Sequence, residues 1–201
     1  MRIAIFEDEY VHHFYPMVRL RAVFELRLGI HLLWEKCARH FKGYPIDFFA
    51  RDILKEVIKE NYPENRVNEV VSANYLFINA RFVGSFSFYE RLKSVKEFSY
   101  FSQGGELAAA YIPAQWIQSL AFDEEGLLVF PDHAEAAFVE ISLTEGRMLH
   151  YLWDLISSNG EEIINDFKYS PGQGFCRGNL MEGSWLINEQ EIYIGSGATL
   201  Y

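Results

Sequence analysis

The chain opens with a short apolar run, Arg2-Ile3-Ala4-Ile5-Phe6, that stops abruptly at Glu7-Asp8-Glu9. Strand formers closed by a polar turn predict a buried first strand, as at the start of many α/β domains. Ligands of such sheets bind outside the carboxyl ends of the strands, which places the acidic turn where chemistry could occur. The competing reading is a solvated loop. From Gly29 to Phe41, apolar residues recur at Ile30, Leu33, Trp34, Cys37 and Phe41, which is helical spacing. A second helix is predicted over 47–60, with Ile53, Leu54, Val57 and Ile58 as its stripe and Asp47 as N-cap. Strands are predicted at 73–78, 107–112, 127–130 and 138–143. Residues 83–101 are aromatic and fit a strand or a helix edge equally, so they stay unassigned. A helix is predicted over 148–156, broken by Asn159-Gly160, with a further turn or two over 161–167 opened by an Asn159/Glu162 capping box.

Strands interleaved with helices point to an α/β domain over 1–168. The character changes afterwards. Residues 169–185 read as a Gly-rich irregular linker. In 186–201, Ile194-Gly195 and Leu200 fall one hexad apart, the spacing of a left-handed hexapeptide β-helix. A solenoid coil cannot bury its face without stacked neighbours. Either the chain is the front part of a longer protein, or these residues form an ordinary strand.

Composition narrows the function classes. Half of the 201 residues are hydrophobic and 23% are charged, which supplies one sizeable core and excludes a disordered chain. Lys and Arg number 18 against 28 Asp and Glu, a net charge of −10. That argues against a nucleic-acid binder, whose affinity comes from clustered cations. Small phosphorylated ligands need only a few local cations, and Arg19, Arg21 and Arg27 are three within nine residues. They read as a phosphate clamp or as a surface run paired with Glu25 or Glu7–Glu9. Cys37 and Cys176 fit neither a disulfide framework nor a zinc spacing. His12-His13 lacks a third ligand at useful spacing and reads as loop; Gly104-Gly105 reads as a turn. With no signal peptide and no apolar run of membrane-spanning length, a soluble, cytoplasmic protein is expected.

Several segments together carry a family resemblance. Tyr15 to Ile30 resembles the pattern LPLTxTRPxxxLRxGIxT, followed by Glu35-Lys36. Phe77-Ile78-Asn79-Ala80-Arg81 resembles an INxR strand end, and Trp153-Asp154-Leu155 through Asn159-Gly160-Glu161 to Asp166-Phe167 resembles WDLFxxNGExIxxDF. In order and spacing the chain resembles the GlmU-related sugar nucleotidyltransferases of bacteria and archaea. The resemblance implies a Rossmann-like nucleotidyltransferase domain followed by a left-handed β-helix. The implied substrates are a nucleoside triphosphate and a sugar 1-phosphate, with Mg²⁺ bridging phosphates and a homotrimer where a β-helix follows. It also implies catalytic roles for Arg21 and Arg27 and nucleotide or phosphate binding by Asp8, Arg19 and Glu25. Asn79 and Arg81 would hold sugar, and Asp154 would be a metal ligand.

The chain departs from that pattern in three places. Phe6-Glu7-Asp8-Glu9 stands where sugar nucleotidyltransferases carry a Gly-rich basic loop. Val18, Leu20 and Ala22 replace Thr, Thr and Pro, and Asn79-Ala80 replaces a Gly-Asp metal site. These departures define the alternative: a catalytically degenerate domain that binds a nucleotide-sugar or serves as a scaffold. A third reading is an α/β protein of structural role.

Overall fold

The first strand predicted from sequence is an interior strand of the main sheet, with a parallel neighbour on each side. The computed structural model describes residues 1–169, 174 and 176–201. In chain order the elements are β1 (Arg2–Phe6), β2 (Arg27–Leu28), β3 (His31–Leu32), α1 (Leu33–Ala38), β4 (Ile46–Phe49), α2 (Lys55–Asn61), β5 (Arg66–Val67), β6 (Tyr75–Asn79), β7 (Phe82–Gly84), α3 (Phe86–Lys93), β8 (Ser99–Gln103) and β9 (Glu106–Ile112). They continue with β10 (Ala121–Phe122), β11 (Leu128–Val129), β12 (Ala137–Glu140), β13 (Gly146–Met148), α4 (Leu152–Lys168), β14 (Asn179–Leu180) and β15 (Thr199–Leu200). Among the described residues, seven strands pair in the order β12-β8-β9-β6-β1-β4-β5. β5, β4, β1 and β6 run parallel, and β9 is antiparallel to both β6 and β8.

Burial on both faces explains why β1 and β6 read as continuous apolar runs rather than alternating ones. Successive side chains point to opposite faces. Ile3 and Ile5 join Phe14, Phe24, Phe48 and Ile78 in one core, while Ala4 and Phe6 join Phe49, Tyr75 and Phe77 in the other.

Several predicted elements are corrected. Asp47 is no N-cap: Ile46-Asp47-Phe48-Phe49 is β4, and α2 begins only at Lys55. The Asp47 carboxylate, fully buried, receives a two-pronged bond from Arg2 and the Tyr75 hydroxyl at 3.0 Å, so a charge is tolerated in an interior strand. The 29–41 helix shrinks to α1, because Gly29 and Ile30 turn the β2–β3 hairpin. Asn159-Gly160 does not break α4, which is continuous over 17 residues. The unassigned 83–101 region resolves into the end of β7, α3 and the start of β8. The 169–185 linker falls partly outside the described residues; its described part holds β14, which pairs parallel with β15. A parallel bridge joins Cys176 to Ile194. The described residues do not show a β-helix. No helix among them is long and apolar enough to cross a membrane.

Candidate functional site

In the sheet order, successive strands leave β1 on opposite sides, to β4 and then to β6. Such a switch point opens a crevice outside the carboxyl ends, where ligands of open α/β sheets bind. Here the crevice lies beyond Phe6 and Asn79. The residues that leave these strands are Glu7-Asp8 and Ala80-Arg81.

Arg81 is the centre of the crevice floor. Its side chain is 1% exposed, and it donates through Nε and Nη2 to the two oxygens of Asp8 at 2.8 and 2.6 Å. Nη2 also reaches Glu106 at 2.6 Å and Nη1 the Leu149 carbonyl at 2.7 Å. The Tyr10 ring lies 4.8 Å from the guanidinium. Burial works against this charge, but Asp8 and Glu106 outweigh it and hold the guanidinium above its ordinary pKa. Asn79 donates to Asp8 at 2.7 Å and to the Leu107 carbonyl at 2.9 Å, while its own oxygen accepts from the Arg81 amide. His150 sits 3.1 Å from the other oxygen of Glu106.

A parallel arrangement holds the other side of the turn. Glu7, 1% exposed, accepts from the Val23 amide at 2.8 Å and from Arg51 through both its backbone and its guanidinium. Arg51 continues to the carbonyls of Val18 and Arg21. The acidic turn therefore ties down the sparsely structured 15–26 segment rather than standing in water.

A cavity of about 430 Å³ opens beside this floor, lined by Asp8, Tyr10, Glu106, Asp123 and the Leu127–Phe130 stretch among others. A second cavity, of about 610 Å³, adjoins it and includes Glu9, His12, Tyr15 and Glu125 in its wall. Among the described residues, the polar lining of both is carboxylate-rich, with no Lys or Arg in either wall. In a low-dielectric crevice such a wall favours ligand hydroxyls and positive charge over bare phosphate.

The sequence-derived site residues separate into distinct places. Asp8, Asn79 and Arg81 come together at the crevice. Arg19 is exposed and lies 5.0 Å from the ring centre of Tyr15, a residue in the wall of the larger cavity. Arg21 is exposed, and its carbonyl is bound by Arg51. Arg27 is apart from them: it bonds the Ile30 carbonyl in the β2–β3 hairpin, which packs on α4. Glu25 caps its own turn by accepting from the Ala22 amide at 2.8 Å. Asp154 accepts from the amides of His150 and Tyr151 at 2.8 and 2.9 Å and so caps α4.

The donor set does not fit a bound Mg²⁺. No group of three His, Cys, Asp or Glu among the described residues is arranged to hold a metal. Asp154 accepts two amides through one oxygen, Oδ2, and both Asp8 oxygens are engaged by Arg81.

Residues missed from sequence include Glu106, Tyr10 and Asp123 of the cavity and Arg51 beneath it. Glu106 carried one signal, its place directly after the Gly104-Gly105 turn. Arg51 lies in no motif. The family segments also meet away from the crevice. Asn159 accepts from the Gly29 amide at 2.8 Å, and Asp166 accepts from the Ile30 amide, Lys36 and Arg39. Lys36 also pairs with Glu162 at 2.8 Å. The LRxGI, EK and NGE…DF elements thus form one buried ionic joint.

Comparison with known proteins bears on this geometry. A family model described as sugar nucleotidyl transferase matches residues 3–171. Among solved structures, the chain is similar to a Bacillus anthracis protein assigned as a glucose-1-phosphate thymidylyltransferase, in complex with a sucrose. The identity is 11% and the TM-score 0.51, over 80% of this chain and 94% of that one. It is also similar to a protein from Mycobacterium sp. strain JC1, described as a homologue of a Mycobacterium tuberculosis protein. That match has 7% identity and a TM-score of 0.50, over 82% of this chain and 99% of that one. At these identities the likeness concerns the fold. A sequence search of curated proteins gives no significant match.

Proposed function

We propose, from the premise that the chain belongs to the sugar nucleotidyl transferase family, that it joins a nucleoside triphosphate to a sugar 1-phosphate. An oxygen of the sugar phosphate attacks the α-phosphorus, and the bond from that phosphorus to the leaving pyrophosphate breaks. The products are a nucleoside diphosphate sugar and pyrophosphate. The observation that carries this reading is the crevice at the β1/β6 switch point, with a cavity of about 430 Å³, inside the segment that the family model covers.

The chain's own groups have definite tasks in this reading. Asp8, Glu106 and Asp123 offer acceptors to sugar hydroxyls, and Arg81 fixes the first two in place. Arg19 and Arg21, exposed on the 15–26 segment, meet the phosphates in this reading. Arg27 lies on the α4 side and has no part in the transfer. Magnesium enters as the counter-ion carried by the triphosphate, since that ion is commonly held through substrate phosphates. Membership of the GlmU-related branch, with a β-helix, a trimer and a cytoplasmic setting, belongs to the same proposal. The parallel Cys176–Ile194 and β14–β15 pairings support its β-helix part.

A second reading rests on a specific observation. The buried cations nearest the strand ends, Arg51 and Arg81, are bonded to protein acceptors, so neither is free to neutralise a transition state. The chain would then bind a nucleotide-sugar without making one. The chain is incubated with Mg²⁺, a panel of nucleoside triphosphates and hexose 1-phosphates, and pyrophosphate release is followed. Turnover that falls at least about 10-fold in Arg21→Ala and is unchanged in Arg27→Ala supports transfer at this crevice. Binding of a nucleotide-sugar without turnover supports the second reading. Neither turnover nor binding overturns both.

A further inference from the structure

The crevice does not end at Phe130. Its cavity continues past Gly105, Leu107 and Phe130, which line both spaces, into a hollow of about 310 Å³ that is open to solvent. The two spaces differ in chemistry. Carboxylates of Asp8, Glu106 and Asp123 stand in the first, whereas Tyr100, Phe130, Pro131 and Phe138 wall the second, with Asp132 at its rim.

The sheet sets these spaces in a row. β9 brings Glu106 and Leu107 beside β6, and β8 and β12 lie beyond β9. Phe138 of β12 stands in register with Tyr100 of β8. On the other side of the first cavity, the space lined by Tyr15 shares Glu9, Asp123 and Leu127 with it. The segment that carries Arg19 and Arg21 belongs to that side, since Arg51, just after β4, holds its Val18 and Arg21 carbonyls. The aromatic hollow is therefore at the end of the row remote from both arginines.

Most of the hollow's rings also serve the core. Phe130 packs on Phe6 at 4.9 Å, and the Tyr100 hydroxyl donates to the Pro131 carbonyl. Phe138 has no such duty. It is 67% exposed on the outermost strand, with its ring 5.3 Å from that of Tyr100. A lone exposed Phe is ordinary. This one walls a hollow that continues a ligand crevice.

We propose that the hollow is a second saccharide subsite, so that the sugar 1-phosphate taken by the crevice has two rings. The inference rests on the reading of the crevice as a sugar 1-phosphate site. The first ring sets its hydroxyls against Asp8, Glu106 and Asp123. The second lays a C–H face on Phe138 and Tyr100 and turns a hydroxyl to Asp132. A pyranose suits such a wall because it combines an apolar face with a rim of donors, which aromatic rings beside a free acceptor complement. An apolar chain would cover Asp132 and give it no donor. A nucleobase lies beyond the phosphates, on the wrong side of the first ring. Size agrees: pockets of about 300–1,000 Å³ hold drug-sized ligands, so the first cavity already suffices for one ring with its phosphate. The hollow is surplus to a monosaccharide.

Titration of the 201-residue chain, followed by saturation-transfer NMR, tests this. The probes are the 1-phosphates of glucose, galactose and N-acetylglucosamine, set against those of maltose, cellobiose, lactose and diacetylchitobiose. At least one disaccharide phosphate should bind at least about 10-fold more tightly than the phosphate of its own reducing-end sugar. Saturation should reach the protons of both its rings. In Phe138→Ser the advantage should fall to about one and the second ring should lose its signal. Far-UV circular dichroism should not change, because the side chain projects from the surface. Monosaccharide phosphates that bind as tightly as every disaccharide phosphate overturn this proposal and leave the crevice reading standing. So does a disaccharide advantage that survives Phe138→Ser. Binding of none of the seven overturns the crevice reading and this proposal with it.

Discussion

Removal of the Lys36 charge is the sharpest perturbation of the ionic joint. Lys36 is 4% exposed and lies 2.6 Å from Asp166 and 2.8 Å from Glu162. Lys36→Met preserves the bulk of the stem and leaves two buried carboxylates, of which Asp166 keeps Arg39 as a cation and Glu162 loses its ion pair. Breaking a buried pair by removing one partner costs about 3–5 kcal/mol. For a chain of this size that corresponds to a fall in Tm of roughly 6–20 °C. Burial by itself would raise the Asp166 pKa, but bonds from Lys36 and the Ile30 amide, with the charges of Lys36 and Arg39, hold it below its ordinary value. A depressed carboxylate contributes stability that is present above the unfolded pKa and lost as pH falls through the folded one. In wild type that loss is confined to pH below about 4. Without Lys36, burial prevails, the pKa rises, and the carboxyl takes up a proton in mild acid. The stability difference, read by urea unfolding, should therefore shrink between about pH 7.5 and about pH 5. A loss under about 1 kcal/mol, or a difference that widens on acidification, would refute the reasoning.

Two further substitutions test how the family segments are used. Gly29 has φ +70°, and a Cβ there would stand 2.5 Å from the Asp166 carboxylate and 2.9 Å from the Glu162 backbone. Gly29→Ala should cost about 2–3 kcal/mol, whereas Gly104→Ala, at φ +61° in open space, should cost about 1 kcal/mol; equal losses would contradict the contact argument. Asp154→Ala should lower stability by about 1 kcal/mol through the lost cap of α4. Thermal unfolding should show the same drop with and without Mg²⁺, and a Mg²⁺-dependent difference would instead mark Asp154 as a ligand.

The strands that form the sheet interior were legible because burial on both faces leaves a continuous apolar signature, as in β1 and β6. Local periodicity failed where a tertiary partner overruled it. Asp47 looks like a helix cap in sequence, and only its distant partners Arg2 and Tyr75 make it a buried strand residue. Asn159-Gly160 looks like a break, yet the helix runs through because Asn159 is engaged by Gly29 and the flanking Glu162 and Asp166 by Lys36. The crevice was half legible. Asp8, Asn79 and Arg81 end strands that sequence could place, whereas Glu106 and Asp123 enter it through an antiparallel strand and a loop whose approach no local pattern encodes.

The two buried networks also explain why an acidic chain keeps its acidic turn. Glu7 and Asp8 look like a repulsive surface for a triphosphate, but each neutralises one buried arginine, Arg51 and Arg81 respectively. Through Arg51 the turn holds the Val18 and Arg21 carbonyls, and directly it holds the Val23 amide. The segment from Tyr15 to Leu26 contains only one short 3-10 turn, Val23–Glu25, so these bonds supply the organisation that secondary structure does not. Replacing Glu7 by glycine, to imitate a phosphate loop, would strand the buried Arg51 guanidinium and free this segment before it created an anion site. Under the proposed transfer, the basic residues that this segment presents outward to a phosphate are Arg19 and Arg21. Their backbone is held through Glu7, and so in that reading the acid that looks repulsive in sequence is what positions the segment carrying both cations.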